Sequence, residues 1–231
     1  MLKVFCARSM HVAVRALADD FAGGAAADIV FEPMGALQAR LAAGETADVL
    51  ILATSAIDAL GAQGKIAAAS RADVGRAPIG VAVRAGSAAV PDIATPQAFA
   101  ATLTAARAIA LSDPAVGGSA GIYLRDLFAK LGLAEMIAAK TAYQKSGVAA
   151  AAAVARGDAD LAMTFVPELL QADGVRILGP LPAPYGHETA YTAAVASDSP
   201  HQGDARAFIA ALTAPAARAV FAKAGFAPGA E

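Results

Sequence analysis

The chain has 231 residues, a formal net charge of −2 and 57 % hydrophobic residues, much of that alanine. This length suits one large domain or two small ones with a sizeable core. The near-neutral charge and the lack of a basic block leave no electrostatic drive toward a nucleic acid. The longest apolar run, residues 148–155, falls far short of the roughly 20 needed to cross a bilayer, so no membrane insertion is expected.

The predicted elements alternate. Residues 2–6 read as a strand. A helix follows with Met10, Val14, Leu17 and Phe21 on one stripe and Ser9 placed to cap it. Residues 29–31 form the next strand, then a helix carries Leu37 and Leu41. Residues 49–52 are a continuous apolar strand and 58–64 a short helix. Residues 79–83 give another strand, and a Gly/Pro/Ser-containing stretch at 85–95 reads as a loop. A helix near 97–105 and a strand at 108–111 lead to the glycine-rich segment 112–119, which opens a helix holding Ile122, Leu127, Phe128 and Leu131. Strands are expected at 141–143, 161–165, 175–178 and 191–196. Helices are expected at 147–156, 204–212 and 215–224. Such alternation predicts an α/β protein, its parallel strands covered by helices.

Cys6 is the sole cysteine. It excludes an internal disulfide and a cysteine-cluster metal site, and its apolar setting reads as a buried structural thiol. The three histidines, His11, His187 and His201, lack metal-ligand spacing, so no metal is expected. No dinucleotide or Walker glycine motif is present, and no cofactor is expected. No basic stretch followed by a long apolar segment and a cleavage site stands at the start. The expected location is therefore cytoplasmic, or periplasmic for a chain trimmed of its leader.

Chemistry is sought where helices begin after strands. Starts are expected at Ser9, at the Met34–Gly35 turn, at Ser119 and at Ser146–Gly147. Free backbone N–H groups at a helix start carry partial positive charge, and small residues let an anion approach them. In open α/β sheets these starts lie at the carboxyl ends of the strands. A serine or glycine there is, taken singly, more often a plain cap. Their number and their division between the two halves carry the functional reading.

Four stretches give that reading a family. Val4-Phe5-Cys6-Ala7-Arg8-Ser9-Met10, the segment from Leu37 through Gly44-Glu45-Thr46-Ala47-Asp48-Val49, Ser119-Ala120-Gly121-Ile122-Tyr123, and Leu178-Gly179-Pro180-Leu181-Pro182 resemble the molybdate-type substrate-binding proteins of bacterial ABC transporters. The resemblance implies the type II periplasmic-binding-protein-like fold. That fold has two lobes, each a mostly parallel sheet flanked by helices, joined by two crossing strands. Residues 1–79 with 192–231 would form one lobe and 80–191 the other. It also implies closure over a small anionic ligand, a carboxylate or an oxyanion, and an ABC transporter permease as partner. The implied contacts are Ser9, Met34, Gly35, Ser119, Ala120, Gly147, Val148 and Phe165.

This chain departs from that pattern. Met34-Gly35 and Phe165 stand where molybdate binders carry hydroxyl groups, and a tetrahedral oxyanion would lose hydrogen bonds there. Arg8 and Lys145, the latter just before Ser146, add cationic groups suited to carboxylates. An organic carboxylate is thus expected in preference to molybdate. The second reading is an enzyme on a similar scaffold, a proton-transfer isomerase of a tricarboxylate like aconitate isomerase. Arg8 and Lys145 would then hold carboxylates, and Glu32 or His11 would relay the proton. A ligand sensor comes third.

Overall fold

The computed structural model describes residues 1–19, 21 and 26–227, with Ala68 described by its backbone alone. The chain divides into two compact units, Met1–Ala77 with Thr189–Glu231, and Pro78–Glu188.

The first unit begins with β1 (Leu2–Ala7), a 3-10 turn at Arg8–Met10 and α1 (His11–Asp19). β2 (Ala27–Glu32), α2 (Met34–Ala42), β3 (Val49–Ala53) and α3 (Thr54–Ala62) follow. β4 (Ala72–Arg84) then carries the chain into the second unit.

There the order is α4 (Pro96–Ala105), β5 (Ile109–Ser112), α5 (Ser119–Lys130), α6 (Ala134–Ala138) and β6 (Thr141–Gln144). α7 (Gly147–Arg156), β7 (Leu161–Phe165), α8 (Val166–Leu169) and β8 (Val175–Pro180) complete it. The chain returns along β9 (Glu188–Val195) to α9 (Gln202–Thr213) and α10 (Pro215–Lys223).

In the first unit β1 lies between β2 and β3, parallel to both, and β9 pairs antiparallel with β3. Apolar side chains of both strands and helices fill its core: Phe5, Leu37, Leu50, Leu52, Ile57 and Ile66. The Gly44–Val49 motif serves this unit. Asp48 is buried, its carboxylate accepting from the Lys3 backbone N–H at 2.8 Å and the Ser199 hydroxyl at 2.6 Å. A buried carboxylate needs such donors, and here they stitch β1 to the segment after β9.

In the second unit β5 lies between β6 and β7, parallel to both, while β4 runs antiparallel to β7 and β8. One cluster of its core is rich in alanine, Ala82, Ala110, Ala150, Ala151, Ala153 and Ala162, with Val154 and Leu169, while Phe99, Leu103, Leu124 and Phe128 are buried elsewhere in the unit. Where alanine faces alanine, α7 and the sheet pack by backbone-near atoms.

The sequence pattern located most elements within two residues and α7 and β7 at their limits. Three differences have physical causes. β4 starts seven residues before the expected strand, because its Arg76 pairs with Ala227, a partner far along the chain. α3 starts at Thr54, four residues early, because Ala53 leads straight out of β3. The short helices α6 and α8 were not expected, since a helix of one turn shows no period.

Candidate functional site

At the carboxyl edge of the first sheet, β1 and β2 end side by side, with Ala7 in register with Glu32. Arg8 is therefore the first residue beyond one strand while Glu32 is the last of its neighbour. Arg8 is exposed and, among the described residues, has no ion-pair partner. Ser9 is buried and does not cap a helix. It lies inside the 3-10 turn, and its hydroxyl donates to the Tyr191 hydroxyl at 2.8 Å. Its backbone N–H and that of Arg8 remain without an acceptor among the described residues.

Met34 and Gly35 are not a turn but the first two residues of α2. Pro33 precedes them, and its carbonyl accepts from Ala36 and Leu37 N–H at 3.0 and 3.1 Å. Proline offers no capping side chain, so the N–H groups of Met34 and Gly35 are left over, as at any helix start. α3 repeats this at Thr54, next to β3. The sequence reading missed that start. Its signal was the Thr54-Ser55 pair directly after an apolar strand.

The proton-relay candidates separate here. Glu32 gives both carboxylate oxygens to Arg40, at 2.7 and 2.9 Å, and Arg40 also reaches Glu45 at 2.9 Å. The Arg40 hydrogen bond holds the Glu32 carboxyl below the usual carboxylate range. That pairing ties the end of β2 to α2 and makes Glu32 the poorer base of the two relay candidates. His11 is exposed and sets its ring edge-on to Phe31, centroids 4.6 Å apart. Desolvation, then Arg15 and Arg8, push its pKa below 6.5, so it is neutral at pH 7 and able to accept a proton.

In the second unit, β5, β6 and β7 end at Ser112, Gln144 and Phe165. α5 starts at Ser119, with Gly118 as its cap residue. Ser119 is thus the first helical residue, and its N–H and that of Ala120 have no acceptor among the described residues. Ser146 is a true cap of α7, its Oγ accepting from Ala149 N–H at 3.2 Å. The N–H groups of Gly147 and Val148 are left over. Lys145, just before, is exposed and has no ion-pair partner among the described residues. Phe165 is buried at the end of β7.

Gly147 is obligatory for contact rather than conformation. A Cβ there would lie 2.0 Å from Thr164 Oγ1 and 2.1 Å from a Glu168 carboxylate oxygen. Thr164, fully buried, donates to that Glu168 carboxylate. Gly121 is similar, since its Cβ would meet the Ser112 carbonyl oxygen at 2.0 Å. Both helix starts are therefore set hard against strand ends.

Each unit thus gathers its own predicted contacts to the carboxyl edge of its sheet: Arg8, Ser9, Met34 and Gly35 in one, Ser119, Ala120, Lys145, Ser146, Gly147, Val148 and Phe165 in the other. A cavity of about 800 Å3 in the second unit lies elsewhere, lined by Val83, Ala105, Arg107, Asp160 and Leu161 at the amino ends of β5 and β7. Its size exceeds that of a small anion, and the donor pairs are not among its lining, so geometry favours the carboxyl edge. Among the described residues no group of three or more His, Cys, Asp or Glu could hold a metal ion.

A sequence profile of the bacterial extracellular solute-binding proteins matches residues 2–227. The chain belongs to that family. A curated relative, aconitate isomerase from a Pseudomonas species, is 37 % identical over 205 residues, covering 88 % of this chain and 76 % of the relative. Among solved structures, the periplasmic molybdate-binding protein of Azotobacter vinelandii superposes with a TM-score of 0.79 at 24 % identity, covering 99 % of each chain. The sulfate-binding protein SubI of Mycobacterium tuberculosis gives 0.73 at 18 % identity over 98 % of this chain and 86 % of that one. The fold of this solute-binding family member is that of the type II periplasmic binding proteins.

Proposed function

We propose that the chain binds a small organic polycarboxylate and moves a proton on it, isomerising a tricarboxylate as its relative aconitate isomerase is named for doing. The observation that carries this reading is the exposed Arg8 guanidinium, without an ion-pair partner among the described residues, at the strand end where Glu32 closes β2 and His11 opens α1. A site built only for a tetrahedral oxyanion needs no base such as His11.

Arg8 would hold one carboxylate by a two-pronged hydrogen bond, and the leftover N–H pairs at the helix starts would hold others. Lys145 adds a second cation. Neutral His11 would take a proton from the methylene carbon beside a carboxylate. The C–H electron pair then spreads over the adjoining C=C bond and its carboxylates. Returning the proton to the far carbon shifts the double bond, and the histidine ends neutral. The reaction consumes nothing and needs no external oxidant or co-substrate.

The test is proton NMR of trans-aconitate incubated with the protein. Appearance of cis-aconitate, lost in Arg8→Ala and in His11→Ala, supports the reading. Tight binding with no conversion would overturn the enzymatic part. It would favour a second reading, a transport-type carboxylate binder with an ABC permease as partner, which family membership supports.

A further inference from the structure

Two independent lines of structure place His187 at the carboxyl edge of the second sheet. The first is backbone. Ile79 N–H donates to the His187 carbonyl at 2.9 Å, and Ile79 pairs in register with Phe165, the last residue of β7. The second is side chain. The His187 ring stacks on Tyr123, centroids 4.0 Å apart and planes 17° from parallel. Tyr123 stands four residues after Ser119 on α5, hence on the same helix face one turn along. A helical side chain leans toward the N-terminus. The stacked pair therefore borders the helix start that offers the Ser119 and Ala120 N–H groups.

The pair is held in place. The Tyr123 hydroxyl donates to the Tyr185 carbonyl at 2.9 Å, and Leu181 N–H donates to the Ile79 carbonyl at 3.1 Å. Both ends of the 181–187 loop are thus fastened to β4, and its middle to α5. His187 is half-buried, and neither ring nitrogen has a hydrogen-bond partner among the described residues. A neutral imidazole has one donor and one acceptor nitrogen. Both are unspent beside a row of unspent backbone donors.

We infer that His187 is a ligand-contacting residue of the second unit, its ring N–H holding a carboxylate that the α5 start also holds, with Tyr123 as its positioning residue. This rests on the proposed polycarboxylate ligand. The pair gives the second unit a directional side-chain donor, which the Phe165 position does not supply.

The experiment is calorimetric titration with cis- and trans-aconitate, joined to side-chain NMR of the histidine rings. The wild type is expected to bind, and His187→Ala and Tyr123→Ala to raise Kd tenfold or more. The double variant should be no worse than either alone, because the two act as one unit. Tyr123→Phe keeps the stack and should stay within threefold. His187→Gln guards against loss of folding, checked by the melting midpoint without ligand. The His187 ring resonances should shift on saturation while those of His201 stay still. A wild type that binds neither isomer would overturn the ligand assignment. A wild type that binds, with folded His187→Gln at wild-type Kd and unmoved His187 resonances, would overturn the role of His187 alone.

Discussion

In the first unit the sheet and helices are spaced by Phe5, Leu37, Leu50, Leu52 and Ile57. In the second, α7 lays Ala150, Ala151 and Ala153 against Ala82, Ala110 and Ala162. The two edges differ in the same sense. Under the proposed function the first adds charged side chains, Arg8 and His11, to its free N–H groups. The second adds Lys145 and His187 to helix starts set so close to strand ends that Gly147 and Gly121 leave no room for a Cβ. The difference teaches that an anion can be met in two ways: by long charged groups that need exposure, or by amide dipoles that need close packing. Replacement at the first is expected to spare stability and cost affinity, and at the second to cost both.

The one substitution expected to cost both stability and binding tests the second half. Gly147→Ala forces a methyl into Thr164 and Glu168, costing about 3 kcal/mol in denaturant unfolding and abolishing ligand binding. An unchanged unfolding free energy would break the comparison. Phe5→Ala in the first core should cost about 3–5 kcal/mol by the same measurement, whereas Ala151→Gly should cost only about 1 kcal/mol. Equal losses would mean the two cores are not built differently. Ser146→Ala removes the α7 cap and should cost about 1 kcal/mol. Arg8→Ala, on an exposed and unpaired side chain, should leave stability within about 0.5 kcal/mol while weakening carboxylate binding strongly.

The smallest effect is on acid stability. Desolvation lowers the pKa of both His11 and His187 in the folded state. The unfolded chain therefore binds protons more readily than the folded one. This part of the stability is fully present above about pH 6.5, the ordinary histidine value, and is lost as the pH falls through the lowered values. Melting curves over pH 5–8 check it, and His11→Gln with His187→Gln should flatten the slope.

Much of this was legible in the sequence, for identifiable reasons. β3 is an unbroken apolar run and β7 one interrupted only by Thr164, and α7 is bounded by Ser146 and Gly157, a cap and a left-handed terminator. The candidate contacts named by the resemblance stand at or just beyond the carboxyl ends of β1, β2, β6 and β7 or open α5. Three things were not legible. The Ser9 hydroxyl meets Tyr191, 182 positions away, and no local pattern announces that. Glu32 looked like a base because its partner Arg40 lies on the next helix. The importance of Gly147 as a close approach depends on Thr164 and Glu168, which sit on a later strand and helix. Pairing between different elements fixed each of these, and periodicity carries no record of it.

The proposed ligand of this family member is an organic polycarboxylate. The most direct measurement is titration calorimetry of the wild-type protein with trans-aconitate and, separately, with molybdate. The account expects saturable one-to-one binding of the tricarboxylate, at least 100-fold tighter than any heat from molybdate. Tight molybdate binding with no aconitate signal would contradict it.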